Sequence, residues 1–311
     1  MSQSRYTIDV VIPAYNASAY IEQTLQSVLL QDAKIHSVIV INDGSTDDTQ
    51  DKVIGFQKQN PNINLVLINQ SNAGLSAARN AGIHHSQADY IALLDADDLW
   101  QPNKLSSQIE IFKSIPEPLL GVVYCGYRLI DEKGKAISTK PKDIISPTLR
   151  GNVYQSLLKG NFISGSGSSA LIKRTVFNAV GLFDEQLKAC EDWDMWLRIA
   201  QQFQFDYVDS DLVLIRVHPH NMQKDGMRML SAELMVLNKF TKHSQSNPFL
   251  LWKMRTYLFN KGIPAQAIPG FEQCSPQLQA QLSGWRMNMA SCILRPLHIL
   301  ANAYLRLSGK R

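Results

Sequence analysis

Tyr90-Ile91-Ala92-Leu93-Leu94-Asp95-Ala96-Asp97-Asp98 is an apolar run that ends in three carboxylates. Five apolar residues without alternation read as a strand buried on both faces, as in a parallel sheet. Three carboxylates within four residues repel one another if buried together. A divalent cation removes that repulsion, and hard oxygen ligands suit magnesium or manganese. Such ions keep positions open for substrate phosphates, so a nucleoside diphosphate would fit. Asp-x-Asp alone also suits a solvated acidic turn before a helix near Pro102. The preceding strand favours the metal reading, because it fixes the carboxylates at a strand end.

The chain upstream repeats this unit. Residues 7–12, 37–41 and 63–68 read as strands. Helices are expected over residues 18–30, capped by Ser18, from about Thr46, where Ser45 and Asp48 resemble a capping box, and over 75–84. Four apolar strands separated by helices imply an α/β fold with a mostly parallel sheet covered on both faces. Ligands of such sheets bind beyond the carboxyl ends of the strands. Those ends carry Pro13-Ala14-Tyr15-Asn16, Asn42-Asp43-Gly44-Ser45 and Asp95-Ala96-Asp97-Asp98, which should converge on one crevice.

Past Gln101 the alternation weakens. A helix is expected over 102–112, strands over 121–130, 168–172 and 211–217, and a helix over 190–201. Residues 140–150 read as a polar loop, and 160–169 as a polar stretch at the edge of the site. Glu191-Asp192-Trp193-Asp194 opens the helix of 190–201. Acidic residues there stabilise the macrodipole, and a carboxylate between Trp193 and Trp196 could equally serve as a general base. Beyond His220 only helical patterns remain.

Other phosphate-binding devices are missing. No Walker-type loop is present, and no Gly-x-Gly-x-x-Gly follows the first strand. The spacing after Asp95 is not that of an EF-hand. Phosphates must therefore be held by metal rather than by a glycine-rich loop.

The 311 residues are 45% hydrophobic and 19% charged, a composition that excludes a largely disordered chain. No apolar run is long enough to cross a bilayer, and the start lacks a signal-peptide pattern, so a cytoplasmic location is expected. Cys125, Cys190, Cys274 and Cys292 match no zinc or redox spacing. Charge is unevenly distributed. Residues 1–220 carry 19 Lys and Arg against 24 Asp and Glu; residues 221–311 carry 12 against 3. Two regions are expected: 1–220, a nucleotide-binding catalytic domain, and 221–311, a basic and mainly helical extension. From Gln273 onward there is no acidic residue, and Arg286, Arg295, Arg306, Lys310 and Arg311 alternate with aliphatic side chains. That pattern suits an anionic membrane surface, which would place the protein peripherally on the inner face of the cell membrane. The aromatics are not interleaved with the charges, so nucleic acid is not expected as a partner.

Taken in order, several motifs together resemble the family 2 glycosyltransferases. They are Val10-Val11-Ile12-Pro13-Ala14-Tyr15-Asn16, Val40-Ile41-Asn42-Asp43-Gly44-Ser45-Thr46-Asp47, Gly74-Leu75-Ser76-Ala77-Ala78-Arg79-Asn80-Ala81-Gly82 and Leu94-Asp95-Ala96-Asp97-Asp98. Phe183-Asp184-Glu185, Glu191-Asp192-Trp193-Asp194-Met195-Trp196-Leu197 and Arg216-Val217-His218-Pro219 complete the match, which spans roughly residues 5 to 222. Asn42 stands where an aspartate is common in the family, and the processive Gln-x-x-Arg-Trp signature is absent.

The resemblance implies a GT-A fold and an inverting, non-processive transfer from a nucleoside-diphosphate sugar, UDP-linked, to a glycan or lipid-linked acceptor in surface polysaccharide synthesis. It implies that Pro13, Tyr15, Asp43, Arg79 and Asp95 serve the nucleotide, with Tyr15 against the base and Asp43 at its edge. Asp95 would approach the ribose or metal, and Arg79, with Asn80, would hold the nucleotide-side loop or make a structural ion pair. Asp97 and His218 would hold the divalent metal, Mn²⁺ or Mg²⁺, and Asp192 would be the catalytic base. Two other readings remain open from the sequence: a catalytically silent nucleotide-sugar-binding subunit of a glycan assembly complex, and a metal-dependent phosphohydrolase using Asp95 and Asp97.

Overall fold

In the computed structural model, residues 6–115, 118–138, 145–163, 167–219, 221, 225–240 and 248–283 are described. The basic tail beyond Ser283 and Cys292 lie outside these residues. The chain divides into two units, Met1–Asn247 and Pro248–Arg311.

The first unit is built on β1 (Ile8–Ala14), all seven of whose residues are buried. It pairs in parallel with β2 (Ser37–Asp43) on one side and β4 (Tyr90–Leu93) on the other, and β3 (Leu65–Gln70) extends the sheet beyond β2. Helices α1 (Ile21–Leu29), α2 (Thr49–Gln59) and α3 (Leu75–His85) make the crossovers. With both faces covered, β1, β2 and β4 have no exposed side, which explains their apolar runs; Asp9, the polar residue inside β1, is itself buried. Close packing is visible at Gly82 of α3, where a Cβ would lie 2.3 Å from Val11 Cγ1.

The sheet continues on the far side of β4, in the order β3-β2-β1-β4-β7-β6-β8-β5. This half contains β5 (Leu99–Trp100), α4 (Lys104–Ser114), β6 (Leu120–Ile130), α5 (Tyr154–Leu157) and β7 (Leu171–Lys173). It continues with α6 (Arg174–Val180), α7 (Glu191–Ala200) and β8 (Gln204–Arg216), and α8 (Gly226–Phe240) ends the described part of this unit. Here β7 runs antiparallel to β4 and β6, while β8 is parallel to β6 and antiparallel to β5. The mixed half turns back toward the carboxylates. The second unit contains α9 (Pro248–Lys261) and α10 (Pro276–Ser283).

Several element ends differ from expectation. α1 begins at Ile21 after a turn in which Ala17 O accepts the N–H groups of Tyr20 and Ile21. Ser18 therefore does not cap it; its own N–H goes to Asp47 Oδ2 at 3.0 Å. The Ser45–Asp48 capping box does not form either. Ser45 Oγ accepts the Asn16 N–H, and α2 starts at Thr49, three residues after the expected Thr46. These polar side chains tie the loop after β1 to the loop after β2 instead of capping helices. β8 starts at Gln204 rather than 211, because β6 offers a parallel edge over that length. β7 starts at Leu171 rather than 168, since Ser168 faces the acidic turn.

Candidate active site

The order β3-β2-β1-β4 sets the carboxyl ends of β1, β2 and β4 side by side, the place where open sheets of this kind bind ligands. Asn16 and the loop after β2 are knitted together: the Thr46 N–H donates to Asn16 Oδ1 at 2.8 Å. Pro13 is buried, one residue from the end of β1. Tyr15, just beyond it, is 54% exposed, an unusual state for a large aromatic at a strand end.

Asp43 is buried at the end of β2. Its carboxylate accepts from Gln70 Nε2 at 2.7 Å and from the N–H groups of Ala73 and Gly74, both at 2.9 Å. It therefore shapes the loop that leads into α3. Gly44 beside it has φ +71°, and a Cβ there would lie 2.6 Å from Asn72 N, so this close approach requires glycine.

The acidic turn sits at the centre. The Asp95 N–H donates to Ser168 Oγ at 3.1 Å. Ser168 Oγ in turn donates to Asp98 Oδ2 at 2.7 Å, and the Arg216 N–H donates to Asp98 Oδ1 at 3.1 Å. Asp98 is buried, and that burial, followed by the charges of Asp97 and Asp95, drives its carboxyl well above the usual carboxylate range. Arg216, fully buried, donates from Nε to Asp97 O at 2.8 Å and also reaches Glu132 O and Gln23 Oε1. It clamps the turn to β6 and α1.

Asp97 and His218 come together although 121 positions separate them, with His218 Nε2 2.8 Å from Asp97 Oδ2. The Tyr20 ring flanks the imidazole at 5.2 Å between centroids. A carboxylate and an imidazole on one rim of a crevice are donors that manganese or magnesium accepts. The crowding of three aspartates in this turn, which adds to burial in raising Asp98, is the feature a cation would relieve. Among the described residues, however, no three His, Cys, Asp or Glu side chains converge as a ready metal cluster. Asp95 instead turns toward Arg79, so the remaining ligands would be substrate oxygens and water. On this chemistry the residues fit a divalent ion.

Arg79 is fully buried between the two acidic groups. It donates to Asp95 Oδ1 at 2.7 Å and to Glu191 Oε1 at 2.6 Å. The ion pair allowed for in the sequence is thus formed, and it links the acidic turn to the start of α7. The neighbouring Asn80 is bonded to the backbone of Phe183 and to Glu185. Asp192, one residue after Glu191, is half-buried. Burial is the main cause that lifts its pKa to about 7; the Glu191 charge adds to it, while Arg79 and the donors Trp193 N–H and Asn161 Nδ2 oppose it. A carboxylate poised near neutrality is suited to accept a proton.

The structure thus brings Asp95, Asp97, His218, Arg79 and Asp192 into one connected network, with Tyr15 and Asp43 at the adjacent strand ends. Sequence reasoning missed Glu191, Ser168 and Arg216 as parts of it. Arg216 offered a signal: a charged residue at the end of the apolar run Leu212-Val213-Leu214-Ile215.

A mixed sheet of this order, with acidic residues at its strand ends, has the architecture of GT-A folds. The chain belongs to glycosyl transferase family 2: the model of that family matches residues 9–181. An uncharacterised glycosyltransferase of Rickettsia typhi is 28% identical over 85% of this chain and 81% of that protein. The putative teichuronic acid biosynthesis glycosyltransferase TuaG of Bacillus subtilis is 34% identical over 52% of this chain and 61% of its own. Among solved structures, S. aureus TarS in complex with UDP matches with a TM-score of 0.56 at 16% identity, over 88% of this chain and 77% of that one. The mannosyltransferase PcManGT of Pyrobaculum calidifontis, in complex with GDP-Man and Mn²⁺, matches with a TM-score of 0.62 at 18% identity, over 99% and 89%. The protein is a glycosyltransferase of GT-A fold.

Proposed function

We propose that this enzyme transfers one sugar per encounter, with inversion, from a UDP-linked donor to a hydroxyl of a glycan or lipid-linked acceptor in surface polysaccharide synthesis. The observation that carries this is the placement of Asp192. It is a near-neutral carboxylate, joined through Glu191 and the buried Arg79 to the acidic turn that bears Asp97 and His218. TuaG supports the polysaccharide assignment, and the UDP complex of TarS supports the donor class.

In this reading Asp192 takes the proton of the acceptor hydroxyl as its oxygen attacks the anomeric carbon from the face opposite the diphosphate. One carboxylate suffices, because a diphosphate leaves without being protonated. The oxocarbenium-like character of such a displacement is shared with sugar hydrolysis. Asp97 and His218 would hold a manganese or magnesium ion, which when bound neutralises charge on the leaving diphosphate. Tyr15 offers an exposed ring for the base, and Asp43 keeps the loop around it in shape. Arg79 holds the Asp95 side and the Asp192 side at a fixed separation.

Replacement of Asp192 by Asn tests the assignment. Loss of a general base lowers turnover by about 10²–10⁴-fold. Release of nucleoside diphosphate from a panel of UDP- and GDP-sugars is expected to fall by that order, with nucleotide affinity nearly unchanged. Full turnover in the variant would remove Asp192 from the reaction.

A further inference from the structure

Asn161 lies in the loop between α5 and β7, and is itself part of none of the motifs that carry the family resemblance. Its Nδ2 donates to Asp192 Oδ2 at 3.0 Å, while its Oδ1 accepts the Ile163 N–H at 3.2 Å. The second bond is an Asx turn, and it settles which end of the amide faces which way. With the oxygen committed to Ile163, the N–H₂ group must point at the carboxylate.

The loop is pinned on both sides of Asn161. Before it, Leu157 O accepts from Trp193 Nε1 at 2.8 Å, so the end of α5 is tied to the residue that follows Asp192. After it, the Ile163 side chain is fully buried. Asp192 Oδ1 is also engaged, accepting the Trp193 N–H at 2.7 Å. Both carboxylate oxygens thus have one donor, and Asn161 supplies the one that comes from another element.

We propose that Asn161 is a positioning residue for Asp192: its amide fixes the rotamer of the carboxylate and leaves a defined lone pair for the acceptor hydroxyl. This rests on the reading of Asp192 as the base. The charged groups facing Asp192 are Glu191 on its own helix and Arg79 on α3. Glu191 disfavours ionisation; Arg79, shared with Asp95 and Glu191, favours it. Asn161 adds a neutral donor, which stabilises the ionised form without adding charge.

Asn161→Asp separates this role from loop architecture. Aspartate has the same size and keeps the oxygen that Ile163 needs, but it replaces the donor with a second carboxylate. The test is a pH titration of protein labelled with ¹³C at the aspartate carboxyl, with the Asp192 signal assigned by its disappearance in Asp192→Asn. The expected result is a midpoint near 7 in the wild type. It should move to higher pH in Asn161→Ala, and further in Asn161→Asp, by about a unit or more. A midpoint that stays in place in both variants overturns the proposal while leaving Asp192 as the base. If no signal lost in Asp192→Asn titrates near neutral pH, the reading of Asp192 fails first, and this inference falls with it.

Discussion

Asp192 is held where ionisation opposes folding, and this has a consequence apart from catalysis. The folded side chain stays protonated up to about pH 7, well above the ordinary aspartate value of 3.8. Between these values the folded state binds more protons than the unfolded one. The contribution of this group to stability is therefore whole below about pH 4 and is lost as pH rises through 7. An asparagine does not ionise, so Asp192→Asn is expected to melt several degrees above the wild type at pH 8. The gap should close as pH falls toward 4. Melting curves across this range check it; a constant offset at all pH values would mean that ionisation of Asp192 is not the source. Stability and turnover thus move in opposite directions in one variant, as expected where a buried group is kept for its chemistry.

Among the elements, α3 and its contact with β1 decide how the crevice is closed from below. Alanine is favoured over glycine in a helix by about 1 kcal/mol. At Gly82 that gain meets a clash with the fully buried Val11, because the added Cβ would lie 2.3 Å from Cγ1. Overpacking of a filled core is worth about 1–3 kcal/mol, so Gly82→Ala is expected to lower stability. Gly55 in α2 has nothing within 4 Å of a Cβ, and Gly55→Ala should raise it by roughly 0.5–1 kcal/mol. Urea midpoints of the two variants compare them directly, and stabilisation of both would refute the close packing of α3 on β1.

The same elements show what the sequence disclosed. β1, β2 and β4 were legible because both faces are covered, which leaves a continuous apolar signature. α7 was legible from its acidic first turn and its apolar stripe. The start of α2 was not, because Ser45, which with Asp48 resembles a capping box, instead accepts from Asn16 across the loops. β7 is only three residues long, and its antiparallel pairing with β4 and β6 leaves no local mark. At the site, the carboxylates were legible one by one. Their connection through Arg79, Ser168 and Arg216 depends on side chains that meet across as many as 119 positions, a distance no periodicity reports.

At the scale of the whole molecule, an acidic catalytic region precedes a basic extension. Among the described residues no helix is long and apolar enough to cross a membrane. Each basic residue near an anionic leaflet contributes about 1 kcal/mol, so the five in residues 273–311 would favour such a surface. Flotation with vesicles containing phosphatidylglycerol is expected to recover the full chain, and to recover less of a chain ending at Ser283. Equal recovery of the two would remove the tail from membrane binding.

In the proposed reaction one crevice, with Asp97 and His218 on its rim, binds a nucleoside diphosphate together with a divalent cation. Thermal stabilisation measures this most directly, since a ligand that binds the folded state at a hundred times its Kd adds about 2.7 kcal/mol. Wild type and Asp97→Ala should be melted with UDP or GDP, each with manganese or with chelator. A shift that requires manganese in the wild type and is absent in Asp97→Ala is the predicted result. No shift with either nucleotide, or the same shift in chelator or in Asp97→Ala, would contradict it.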